Sequence, residues 1–181
     1  MFGGVYYKSE MPVGWQPGAP PSVAILSEWM RVNAVVLHAL AGMEIQPSAR
    51  ENELCSDMEK KFDRVEAKLD LALNLLSSFL AQHAPKPETC PVTLGASAIE
   101  WLDRSKTPAS GSIILSLYIT PSLPQPLMLP AFVRESVAQP DGTRIVAEFT
   151  DLSEEVRDSL ERTVFRNHRR YVQAMHGSSG R

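Results

Sequence analysis

The chain has 181 residues, 44% hydrophobic and 22% charged, a balance that suits one folded domain or two small ones and excludes a disordered or collagen-like chain. A formal charge of -3 provides no overall basic field, which disfavours a general nucleic-acid binder. Cys55 and Cys90 form no CxxC pair, so neither a disulfide scaffold nor a zinc module is implied. With no basic or apolar leader in residues 1–8, the chain is expected in the reducing cytoplasm.

Residues 1–21, rich in Gly and Pro, read as an extended N-terminal arm anchored by Trp15. Ser22 can cap a first helix, stopped near Gly42, in which Leu26, Trp29, Val32, Val36, Leu40 and Met43 recur at helical spacing. Ser27, Glu28, Arg31 and Asn33 take its other faces.

A second helix opens on the capping box of Ser48 and Glu51 and ends before Pro85 and Pro87. It would span about 36 residues, roughly 54 Å at 1.5 Å per residue. Cys55, Met58, Phe62, Val65, Leu69, Ala72, Leu76 and Phe79 follow in steps of three and four, as in a coiled-coil seam. Leu73, Leu75 and Leu80 widen the apolar surface beyond a two-stranded seam. One side of an intramolecular bundle would show the same stripe, but the first helix is too short to cover it. A homo-oligomer, a tetramer, is therefore expected. The helical oligomerisation region covers residues 22–84 and a linker covers 85–90.

From residue 91 the apolar period becomes that of strands, at 92–94, 98–102, 112–119, 127–137 and 143–149. Asp141-Gly142 is a hairpin signal, and strands without intervening helices predict an antiparallel sheet or small barrel. The uncharged run from Thr107 to Val133 contains Pro108, Pro121, Pro124, Pro126 and Pro130, so it reads as strands and loop and no membrane span is expected. A closing helix is predicted over about 154–175, capped by Ser153 or Asp151, with Val156, Leu160, Val164, Phe165, Tyr171, Val172 and Met175 available for packing. The fold class is α+β, with residues 91–181 as a strand-rich unit and its closing helix.

From Arg162 to Arg181 there are five arginines and no acid. Arg162, Arg166, Arg169 and Arg170 could be a solvated basic face near a helix C-terminus, a site for a phosphate or acidic partner, or a nucleic-acid contact. The histidines His38, His83, His168 and His176 show no HxxxH or HExxH spacing, so no metal is expected. Cys55, beside Asp57 and Glu59, reads as a seam residue, and Cys90 could stand as an exposed thiol with no histidine near it in sequence. No GxxxxGK[ST] loop is present, and no set of residues marks an enzyme or a cofactor site.

Several segments resemble the PilZ family, in particular its atypical tetrameric branch: FDRVEAKLDLALNLL at 62–76, AIEWL at 98–102, LYITP at 117–121 with LMLP at 127–130, and LERTVFRNHRR at 160–170. MPVGW at 11–15 matches the arm of that branch. The resemblance implies a small β-barrel with a closing helix, carried on a coiled-coil helix, in cyclic di-GMP signalling. Ordinary PilZ domains use an RxxxR pair, whose guanidinium groups bind phosphates and stack on guanine, and a D/NxSxxG turn. Aligned on residues 98–101, the turn places Thr93, Gly95 and Ala98 at the Asp/Asn, Ser and Gly positions, and a two-residue shift recovers only a serine, Ser97. Between Arg64 and Arg104 there is no arginine, and the linker offers only Lys86. Usual-mode cyclic di-GMP binding is therefore expected to be weak or absent. The resemblance implies a non-enzymatic regulatory or scaffold protein acting on an unidentified signalling partner; the alternative is a receptor that holds the nucleotide on the arginine cluster of the closing helix.

Overall fold

The computed structural model describes residues 4–19, 21–43, 65, 69, 86–104, 111–120 and 125–178. In chain order its described elements are β1 (Tyr6–Pro17), α1 (Val23–Met43), β2 (Thr89–Gly95), β3 (Ala98–Asp103), β4 (Ser112–Leu117), β5 (Leu127–Gln139), β6 (Gly142–Phe149) and α2 (Glu154–Ser178). All strand neighbours are antiparallel, and the order β1-β2-β3-β6-β5-β4 closes into a barrel. Alternate residues point inward: Leu94, Ile99, Leu115, Leu117, Leu129 and Ile145 are fully buried, in one core that also takes in side chains of both helices.

The segment expected as an arm is the strand that closes this barrel. The first half of β1 pairs with β2, from Tyr6↔Gly95 to Pro12↔Thr89, and its second half crosses to β4, from Val13↔Leu117 to Pro17↔Ile113. Tyr7, Met11 and Val13 face the core, but the Pro and Gly residues between them obscure the two-residue period. Gly14 permits the crossing, since a Cβ there would lie 2.5 Å from Ser116 Oγ and 3.0 Å from Pro87 Cγ. In the β5–β6 hairpin Gln139 pairs with Gly142, so the turn residues are Pro140 and Asp141. Gly142 has φ +148°, and a Cβ on it would stand 2.5 Å from the Asp103 carbonyl oxygen.

Helix α1 starts beside its expected cap, Ser22, whose carbonyl accepts from Leu26 N–H at 2.9 Å. Its buried face is rotated from the predicted stripe. Val36 and Leu40 of that stripe are buried, with Met30, Asn33, Ala34 and Leu37 beside them, whereas Leu26, Trp29 and Val32 are only partly so. Asn33, expected on an outer face, is 0% exposed. Its side chain works as a one-residue strand: Nδ2 donates to Met128 O at 2.8 Å, and Oδ1 accepts from Met128 N–H at 2.9 Å. By length and composition α1 could cross a membrane over Val23–Gly42, and 33% of that window is buried in this fold. It packs on α2 and β5, and α2 packs in turn on β1.

Helix α2 is capped by Ser153, whose Oγ accepts from Val156 N–H at 3.3 Å while its carbonyl accepts from Arg157 N–H at 3.0 Å. Val156, Leu160, Thr163 and Val164 form its buried side, and Phe165, expected to be available for packing, is exposed. The predicted heptad helix lies almost wholly outside the described residues, including Cys55, Met58, Phe62, Ala72, Leu76 and Phe79. Of the seam, Val65 and Leu69 are described; both are helical and more than half exposed.

Cys90, which could have been an exposed thiol, is buried in β2 with Sγ 3.8 Å from Met11 O. Burial, reinforced by the nearby Asp103 charge, pushes the thiol up to about 11. A thiol reagent at pH 8 should therefore leave Cys90 unmodified in the folded chain and label it once denaturant is added, as peptide mapping would read. Asn33→Leu should deprive the part-buried Met128 N–H and carbonyl of their partner and lower unfolding stability by about 1–3 kcal/mol in urea titrations.

Candidate functional site

The β2–β3 connection is the turn Gly95-Ala96-Ser97, and it carries the positions matched to the D/NxSxxG motif: Thr93 in β2, Gly95 at its end and Ala98 at the start of β3. The turn is held from behind, since Ser97 O accepts from Phe149 N–H at 2.9 Å. The first half of α2 crosses beside it. Between them lies a cleft of about 750 Å³ whose lining includes Val5, Arg157, Asp158, Glu161, Arg162 and Phe165. Two guanidinium groups and two carboxylates share this space, so it has no net basic charge to collect an anion.

The four arginines expected to act together are distributed along α2. Arg162 is exposed and lines the cleft. Arg166 is half-buried, with Nη2 donating to Thr163 Oγ1 at 3.4 Å on its own helix. Arg169 and Arg170 are exposed beyond the cleft lining. Arg157, Asp158 and Glu161 carry no signal in the sequence, because on an isolated helix they read as ordinary solvated positions. Only the packing of α2 brings them to the Gly95–Ser97 turn.

At the linker, Lys86 Nζ lies 5.6 Å from the centroid of the Tyr118 ring, an ammonium against an aromatic face. A second cleft, of about 520 Å³, is bounded by Trp15, Pro87, Glu88, Trp101, Asp103 and Arg104. Trp15 Nε1 donates to Asp103 Oδ2 at 2.9 Å, tying the crossing half of β1 to the end of β3. Arg104 brings a cation near the linker, but two carboxylates line the same cleft.

The described histidines are scattered. His38 Nε2 is 4.0 Å from a Glu155 oxygen, and His168 Nδ1 donates to Tyr6 O at 2.6 Å. Among the described residues no group of three or more His, Cys, Asp or Glu side chains could hold a metal ion. The outer barrel surface is stitched by Arg144, bonded to Glu100 at 2.9 Å and to Glu135. Those neighbours raise the Arg144 pKa, chiefly through the Glu100 hydrogen bond, and the arrangement is that of a charged strand surface.

Residues 37–176 match the family model described as an atypical PilZ domain, cyclic di-GMP receptor. A solved structure of a pathogenic protein from Xanthomonas campestris is similar, with 24% identity over 95% of this chain and 93% of that one and a TM-score of 0.79. It is described as a new tetrameric PilZ domain self-assembled through an unusual helical bundle. An inhibitor of motility from Bacillus subtilis matches 44% of this chain and 41% of its own at 15% identity, with a TM-score of 0.37. No curated protein matches. The family match begins at residue 37, after β1 and the first part of α1, yet the Xanthomonas likeness covers almost the whole chain, so the two proteins are alike in overall fold. The chain belongs to the atypical PilZ family.

Proposed function

We propose that the chain is a non-enzymatic regulatory or scaffold protein of cyclic di-GMP signalling, working in the cytoplasm, in which a heptad helix joins four chains and presents their barrels together. The observation that carries this reading is the β2–β3 turn. Thr93, Gly95 and Ala98 stand where the usual motif needs Asp/Asn, Ser and Gly, and the adjoining cleft places Asp158 and Glu161 against any phosphate that Arg157 or Arg162 would attract. The linker adds one lysine, engaged with an aromatic ring, in place of an arginine pair. The family is described as cyclic di-GMP receptors; in the reading proposed here this chain keeps the fold while its usual-mode site is substituted.

Self-assembly is supported by the tetrameric relative and by Val65 and Leu69, four residues apart on helix and 55% and 57% exposed in the single chain. Joined barrels would act by multivalency, since a weak contact to a signalling partner gains strength when a second contact becomes intramolecular. A second reading, a nucleotide receptor on the arginine cluster, is favoured by one observation: Arg162 lines the same cleft as the Gly95–Ser97 turn.

Calorimetry with cyclic di-GMP should show no saturable heat; tight binding abolished by Arg162→Ala or Arg166→Ala would replace the first reading with the second. Light scattering should give about four times the 20.0 kDa chain mass, and Leu69→Asp should reduce it. A wild-type monomer at micromolar concentration would sink the scaffold reading.

A further inference from the structure

Helix α2 turns four side chains outward, Asp158, Arg162, Phe165 and Arg169, in steps of four, three and four. At 3.6 residues per turn they lie within about 60° of one another, opposite the buried Val156, Leu160 and Val164. All four are exposed, Phe165 to 51%. Among the described residues, no ion pair holds Asp158, Arg162 or Arg169, although the first two stand at the i,i+4 spacing that often pairs.

A four-three-four spacing reads the same in both directions. Laying a second copy of α2 antiparallel about a two-fold axis between residues 163 and 164 sets Asp158 opposite Arg169 of the second copy and Arg162 opposite Phe165 of the second copy. Symmetry repeats each pairing, giving two ion pairs and two guanidinium–aromatic contacts. A parallel copy in register would oppose arginine to arginine, and shifting the antiparallel pair by one turn toward the basic end would oppose Arg162 to Arg169. Charge thus disfavours both of these alternatives.

We propose that this stripe is an interaction surface for a second copy of the same chain, docked antiparallel along α2. The contact is independent of the heptad helix. Its four residues a side fall short of the roughly 1,200–2,000 Å² buried in a stable complex, so it is weak in isolation and gains where chains are already held together.

Arg169→Lys keeps the charge and supplies an amine for carbodiimide coupling. Asp158 and position 169 of one helix are eleven residues, about 16 Å, apart, too far for a zero-length amide bond. Peptide mass spectrometry of this variant should therefore find a link between copies, from Asp158 of one to the new amine at position 169 of the other. The link should be lost in 1 M salt, where the Debye length is about 3 Å. By sedimentation at low salt, Asp158→Arg should weaken association about tenfold or more, and Asp158→Arg with Arg169→Asp should restore it. Absence of the link, its formation only to other carboxylates, or a double variant as weak as the single one would overturn the proposal.

Discussion

The pairing of Asn33 with Met128 governs how the parts of this molecule meet. Strand β6 joins β5 only from the Ala131↔Phe149 pair onward, so the start of β5 needs another partner on that edge. Asn33 provides it with one donor and one acceptor at 2.8 and 2.9 Å. An apolar helix face alone tolerates sliding, whereas this pair of directional hydrogen bonds is made at only one rotation and height of α1. The consequence reaches α2. Met30, one turn before Asn33, presents its sulfur 3.5 Å from the backbone nitrogen of Ser153, the residue that caps α2. Where α2 starts decides which of its side chains pass the Gly95–Ser97 turn. The cleft with Arg157, Asp158, Glu161 and Arg162 is thus set by a side chain on a different helix.

Much of the fold was legible because its strands alternate and its turns carry Gly and Pro. β3, β4 and β6 lie within about two residues of their predicted positions, and α2 begins at Glu154 as its capping signal implied. The failures have separate causes. β1 was hidden because Pro12, Gly14 and Pro17 resemble loop chemistry, and only its pairing with both β2 and β4 makes them strand residues. The α1 stripe held at Val36 and Leu40 but was otherwise misplaced, because Asn33 counts as polar in any periodicity, although a fully satisfied amide can be a core residue. At the candidate site, the sequence places Thr93, Gly95 and Ala98 around the β2–β3 turn that the structure describes. The neighbours of that turn on α2 were not legible, because helix charges acquire meaning only through what the fold sets beside them.

The charge balance of the cleft bears on ligand choice more than its size does. Carboxylates that share a cleft with guanidinium groups lower the positive potential those groups offer a phosphate, even where no ion pair forms between them. Asp158 and Glu161 accompany Arg157 and Arg162. In the second cleft Glu88 and Asp103 accompany Arg104 in the same manner. These two clefts are electrically mixed. Such surfaces favour a partner carrying both signs of charge in a fixed arrangement, which is the character of a protein surface more than of a small polyanion.

Symmetry then limits what an antiparallel α2 contact can build. A two-fold contact uses one patch per chain and satisfies it completely, so by itself it stops at two copies. If the heptad helix holds four chains, each chain carries one further patch, and two outcomes differ only in geometry. Patches that face one another inside the assembly would close in pairs and stiffen the placement of the barrels. Patches that face outward would join separate assemblies, and four of them on one tetramer would permit extended arrays. The strength of either arrangement would fall with ionic strength, because Asp158, Arg162 and Arg169 are exposed charges with no buried shell to shield them from salt. A seam of buried apolar side chains would not share that dependence. Salt would therefore separate the two kinds of self-contact within one chain, removing the charged one while leaving the apolar one in place.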